Sequence, residues 1–113
     1  MFKGPAKKLT VYVDERDKVH HKPVHEAVVD ILYRKKVRGL SVFRGVGGYG
    51  SNGALHTAKI LELSTDLPVK IEAIDSEAKI FEVVPEIAEV VEKGLIEVSD
   101  TNVIKCCRSK EDI

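Results

Sequence analysis

The chain has 113 residues, 43% hydrophobic and 32% charged, with 18 basic and 18 acidic side chains and a formal net charge of zero. That composition fits an ordinary folded globule and excludes a disordered chain. A balanced charge gives no field to recruit nucleic acid, and 5% aromatics are too few for base-stacking platforms.

One domain is the natural expectation at this length, with a core over about residues 9–105. No run approaches the ~20 apolar residues needed to cross a bilayer. The start, Met1-Phe2-Lys3-Gly4-Pro5, has no apolar stretch of the secretory kind. Cys106 and Cys107 are chain neighbours, so they cannot staple distant segments, and no second pair completes a zinc site. A reduced, cytoplasmic setting is expected.

Leu9-Thr10-Val11-Tyr12-Val13 alternates with period two and predicts a strand. Asp14 to Lys22 is polar and predicts a loop, with Glu15, Asp17 and Lys18 as solvated charges. Pro23 suits the first turn of a helix whose apolar face is Val24, Ala27, Val28, Ile31 and Leu32. Arg34, Lys35 and Lys36 suit its last turn, with Gly39 as the stop.

Leu40-Ser41-Val42-Phe43-Arg44 predicts the next strand, which runs into a glycine loop. Ala58 to Leu63 can be extended, and Ser64-Thr65-Asp66 is a turn. Val69, Ile71 and Ala73 alternate with Lys70 and Glu72 in the clearest strand of the chain. Pro68 opens it, where a missing donor is tolerated. Asp75 or Ser76 can cap a second helix with Ile80, Val84, Ile87 and Val91 on its apolar face, and Phe81 and Ala88 beside them. Pro85 should kink that helix or begin a second short one. Gly94 ends it. Leu95–Val98 and Asn102–Lys105 read as two further strands, the last one short, before a polar tail from Arg108.

The order β-α-β-loop-β-α-β is the ferredoxin-like plan, an α+β fold with two helices on one face of an antiparallel sheet. Several strands carry apolar residues on both faces. The uncovered face is therefore expected to meet other copies of the chain.

Between Phe43 and Gly53 stand five of the eight glycines: Gly45, Gly47, Gly48, Gly50 and Gly53. Each costs backbone entropy, so their concentration calls for positive φ or close approach. The run from Gly45 to Gly50 matches G-x-G-x-x-G, but no helix and no parallel βαβ unit follows, which removes the dinucleotide fingerprint. No Lys-Ser or Lys-Thr follows Gly50, which removes the phosphate-binding P-loop. A plain hairpin tip remains one reading. The favoured one is a backbone cradle whose N–H groups face an anion, with Arg44 and Lys59 adding charge.

Further motifs join this loop: Gly39-Leu40-Ser41-Val42, Gly48-Tyr49-Gly50, Leu67-Pro68-Val69-Lys70-Ile71-Glu72 and Lys93-Gly94. With them the chain resembles the PII superfamily of trimeric signalling proteins. Lys22-Pro23, Arg44-Gly45, His56-Thr57 and Leu67-Pro68 make it still more similar to a group of short, functionally uncharacterised PII-like proteins. The similarity spans about Leu9 to Lys105.

The resemblance implies a non-enzymatic regulatory homotrimer that binds an adenine nucleotide, as ligand and not as cofactor, in clefts between subunits. The loop from Val46 to Thr57 would carry the signal to a target protein or transporter. Gly48, Tyr49, Gly50 and the residues just after them, beginning with Ser51, would lie near the nucleotide, and Ile74 near its base. Lys93-Gly94 is all that the chain keeps of the family's glycine-rich phosphate turn, and Lys105 and Arg108 are the nearest distal cations. AMP, ADP or a cyclic nucleotide therefore fits better than a fully gripped triphosphate. Tyr49 matches the aromatic of the Gly-aromatic-Gly motif and not a modified tyrosine at the loop tip. His56 closes the loop in a family-like context and joins the candidate ligand residues.

Two other readings stand beside this one. His21 and His25 are four apart and could share a helix face as metal ligands, with His20 and His56 as further donors, in a metal-binding trimer of related fold. Solvated histidines are the simpler reading. Arg44 and the glycine cradle could serve a small phosphate-ester hydrolase, but no nucleophile and base pair is recognisable. Glu72 reads equally as an interface ion-pair member or a ligand contact. Cys106-Cys107 reads as a strand end and not a redox pair.

Overall fold

The computed structural model describes residues 2–48, the backbone of 56–57, and residues 67–107. Among them, β1 (Phe2–Asp14) leads through a small hairpin, β2 (Lys18–Val19) and β3 (Lys22–Pro23), into α1 (Val24–Arg34). β4 (Leu40–Arg44), β5 (Gly47–Gly48) and β6 (His56–Thr57) follow, then β7 (Pro68–Asp75), α2 (Glu77–Val90) and β8 (Leu95–Cys106). The main sheet has the order β4-β7-β1-β8, antiparallel at every pairing. Each crossover helix thus joins two parallel strands with a third between them, the split βαβ arrangement of the ferredoxin-like fold.

The core follows from the alternation. Leu9, Val11 and Val13 of β1 and Val69, Ile71 and Ala73 of β7 are buried on one face. Val28, Ile31 and Leu32 of α1 and Ile80, Val83 and Ile87 of α2 pack onto them. In α2 the helix turns its Val83 side fully into the core. Val84 is only partly buried, Ala88 is exposed, and Phe81 lies 51% exposed. The helix runs through Pro85 without dividing, so no second short helix forms.

Local chemistry sets the helix ends. Ser76 caps α2, its hydroxyl accepting from the Lys79 N–H at 3.2 Å, and Asp75 accepts from the Ser76 N–H at 2.7 Å. α1 stops before Gly39. Lys36 takes φ of +61°, its N–H donates to Tyr33 C=O, and the Val37 N–H donates to Leu32 C=O. These two bonds are a Schellman closure, with lysine in the left-handed position that glycine usually fills.

Three further expectations change. The loop after β1 contains a hairpin whose two turn residues, His20 and His21, have φ of +50° and +66°. That is the sign pattern of a two-residue hairpin turn matched to strand twist. β1 begins at Phe2, seven residues before the alternating stretch, because Phe2–Ala6 pairs with β8 alone. One free edge there tolerates Pro5, which has no N–H to give. β8 is one continuous strand where two were expected. It ends in a disulfide between Cys106 and Cys107, whose Cα atoms are 3.7 Å apart, so the reading of two free thiols is corrected. The bond joins chain neighbours and staples nothing distant.

The sheet face away from the helices carries Tyr12, Phe43 and Leu95, each 41–49% exposed, among Lys70, Glu72 and Glu97. Lys70 sits 4.9 Å from the Phe43 ring centroid and 3.5 Å from the Glu72 carboxylate. No helix among the described residues is long and apolar enough to cross a membrane.

Candidate functional site

The antiparallel register sorts the candidate residues by sheet end. β4 finishes at Arg44 opposite Val69, and β1 finishes at Asp14 opposite Pro68. At this end the Glu15 N–H donates to Leu67 C=O at 2.9 Å, and the Gly45 N–H donates to Pro68 C=O at 2.7 Å. Two chain segments distant in sequence are thereby fixed on either side of the start of β7.

Their side chains meet. Arg44 Nε lies 2.6 Å from Glu15 Oε2, and Arg44 Nη2 donates to Glu15 Oε1 at 3.0 Å. This is a two-pronged guanidinium–carboxylate pair, the geometry that also suits other planar oxyanions. The Arg44 side chain is 47% exposed and that of Glu15 26%, so the pair faces solvent at the base of the glycine loop.

The glycines have local reasons. A Cβ on Gly45 would stand 2.7 Å from Pro68 Cγ and 3.3 Å from Pro68 O, so only glycine lets the chain pass this close to β7. Gly48 has φ of +150°, a backbone region that side chains resist. Gly47 and Gly48 pair with Thr57 and His56, so the loop is pinched at its base by β5 and β6. Tyr49, Gly50, Ser51 and Lys59 lie outside the described residues, and His56 is described in backbone only.

Lys93 and Gly94 stand at the same sheet end, before β8. A Cβ on Gly94 would come 2.4 Å from the Tyr12 carbonyl oxygen, and φ there is +154°. Packing alone therefore requires this glycine. β4 and β8 are the outer strands of the sheet, separated by about 14 Å at ~4.8 Å per strand spacing. Within one chain, Arg44 and Lys93 thus flank the same end without touching.

Ile74 and Lys105 lie elsewhere. Ile74 pairs with Lys8, five residues along β7 from the Arg44 level, or about 17 Å at ~3.3 Å per residue. Lys105 is near the far tip of the β1–β8 ribbon. One chain does not bring these two residues to the loop base.

That opposite end is held by Asp75, which is 5% exposed. It accepts from the Arg38 N–H at 2.9 Å and lies 3.5 Å from Arg38 Nε, while the Arg38 guanidinium stacks 4.5 Å from the Phe2 ring centroid. All these partners are internal, so we assign this cluster to stability.

His21 is exposed at the hairpin tip, and His25 is in the first turn of α1 with a buried, unpaired Nδ1. Among the described residues, no three His, Cys, Asp or Glu side chains gather as a metal-binding group.

Glu15 is the residue that sequence reasoning passed over. It stood as one of several loop charges, and no spacing connects it to Arg44. Only the shared anchorage on Leu67 and Pro68 brings the two together.

Residues 6–103 match the model of the family DUF190, described as "Uncharacterized ACR, COG1993". The UPF0166 protein MJ1524 of Methanocaldococcus jannaschii is 38% identical over 101 residues, covering 88% of this chain and 93% of that protein. Among solved structures, CPII, a nitrogen regulatory PII-like protein from Thiomonas intermedia K12 bound to ADP, AMP and bicarbonate, matches with a TM-score of 0.70. It is 23% identical, with 92% of each chain covered. TTHA0516, a PII-like signalling protein from Thermus thermophilus, matches with a TM-score of 0.66 at 16% identity, covering 92% of this chain and 94% of that one. These structural likenesses bear on the fold, and they agree with the sheet order and the two helices found here. The chain belongs to the DUF190 (UPF0166) family and has the fold of the PII-like proteins.

Proposed function

We propose that this protein is a non-enzymatic, cytoplasmic PII-like regulator that binds an adenine nucleotide, AMP or ADP, at clefts between the subunits of a homotrimer. The phosphate group meets Arg44 and the backbone N–H groups of Gly47 and Gly48. Lys93 of a neighbouring subunit comes to the same cleft, which accounts for its distance from Arg44 within one chain. Tyr49, Gly50, Ser51 and His56 continue the site into the loop. Ile74 and Lys105 belong to it only through another subunit. The uncovered sheet face, with Tyr12, Phe43 and Leu95, packs at the trimer axis.

The observation that carries this reading is the pairing of a two-pronged arginine with a glycine-bounded backbone turn at one sheet end, in a fold shared with a protein bound to ADP and AMP. Nucleotide binding orders the loop from Val46 to Thr57 and so changes its contact with a target protein or transporter. Isothermal calorimetry with AMP, ADP, ATP and cyclic AMP, beside light scattering for the oligomer, tests it. Saturable binding by at least one of them to a trimer is expected. No heat at millimolar nucleotide, or a monomer at micromolar protein, contradicts it.

A further inference from the structure

The Glu15–Arg44 pair has a geometry that bears on ligand binding itself. The Arg44 fork offers Nε and Nη2 side by side, and a single carboxylate takes both. A phosphate oxygen pair would need those same two donors. Both partners are stiffly rooted, through Glu15 N–H on Leu67 and Gly45 N–H on Pro68, so the carboxylate meets the guanidinium without a rearrangement of the chain.

We propose that Glu15 is a built-in competitor for Arg44: its carboxylate holds the anion-receiving face of the guanidinium until an incoming oxyanion displaces it. The inference deepens the proposed function, and rests on it only for the identity of the nucleotide. It follows that Glu15 raises the threshold for ligands carrying a phosphate group. A ligand that brings one charge, or none, gains less from the exchange than one that brings two. Displacement also frees the Glu15 carboxylate, so one ligand contact alters both the loop base and the β1–β2 loop.

The pair is partly solvent-exposed, which bounds its strength. Exposed ion pairs are worth up to about 1 kcal/mol, equivalent to an affinity change of about two- to fivefold. The test uses inorganic pyrophosphate, ADP and adenosine as separate probes, with the Arg44 Nε–H followed by 15N NMR in wild type, E15Q and R44Q. Thermal unfolding of each variant confirms that it folds.

The expected result is that E15Q binds pyrophosphate about two- to fivefold more tightly than wild type, and that R44Q loses the binding. Adenosine should be unaffected by either change, and added salt should narrow the gap between E15Q and wild type. Equal or weaker pyrophosphate binding by E15Q shows that Glu15 positions Arg44 and does not compete for it, and overturns the inference. Undiminished binding by R44Q overturns it too, as does a failure of wild type and E15Q alike to bind pyrophosphate. If pyrophosphate behaves as expected while ADP does not bind, the competitor stands and the adenine-nucleotide reading falls.

Discussion

Gly94→Ala separates packing from ligand contact at a residue where the family resemblance implies a phosphate turn. The added Cβ would lie 2.4 Å from the Tyr12 carbonyl oxygen and 3.1 Å from Val91 Cγ1. The first contact is with backbone in the centre of β1, which cannot swing aside as a flexible side chain could. Alanine at φ of +154° also carries a conformational penalty of about 1–3 kcal/mol. Relieving the clash by shifting the turn costs about 1–3 kcal/mol more. The sum, about 2–5 kcal/mol, is a large share of the stability of a small domain. At about 4 °C per kcal/mol for a chain of this size, Tm should fall by about 8–20 °C. Urea unfolding without nucleotide, at fixed protein concentration because association adds to apparent stability, measures it. A Gly94→Ala protein within about 1 kcal/mol of wild type refutes the packing argument and returns the glycine to the ligand.

Three other expectations concern the helices and their charges. Lys36→Gly should stabilise the protein by about 0.5–1 kcal/mol, because glycine removes the left-handed strain of the α1 closure at an exposed site; urea midpoints test it. Ser76→Ala should cost about 0.5–2 kcal/mol by removing the acceptor for the Lys79 N–H, while Ser76→Asp should keep most of the stability. The Arg34 guanidinium donates to Glu86 at 2.7 Å and holds its carboxyl below the usual value of 4.5. A depressed folded value means that the contribution is present above the usual value and is lost as pH falls through the folded one. The stability difference between wild type and Glu86→Gln should thus be present at about pH 7 and vanish towards about pH 2. A difference that grows on acidification contradicts the assignment.

The fold was legible where burial has a period. Leu9, Val11 and Val13, and Val69, Ile71 and Ala73, announce strands because one sheet face is core and the other is not. The α1 face was legible for the same reason. Positions governed by partners distant in sequence were less so. Phe2–Ala6 has no alternation, and is a strand because Thr101–Cys106 pairs with it. His20 and His21 give no turn signal, since hairpins of that kind favour asparagine and glycine. In α2, both Val83 and Val84 are apolar, and only packing against the sheet chooses Val83.

The candidate site was legible in part. The glycines marked the right end of the sheet, but Gly45 and Gly94 answer first to close contacts with Pro68 and Tyr12. Ile74 and Lys105 fell at a distance, because a motif shared with a family whose ligands sit between subunits names residues from more than one chain. Glu15 was invisible, because an ion pair between strand ends leaves no periodic trace.

The most direct measurement is a crystal structure grown with ADP. The account expects nucleotide density at a subunit cleft, with phosphate oxygens about 3 Å from the Arg44 guanidinium and from the Gly47 and Gly48 N–H groups. Glu15 should then have turned away from Arg44. Crystals with ADP bound far from this sheet end, or with Arg44 still held by Glu15 beside a bound nucleotide, contradict it.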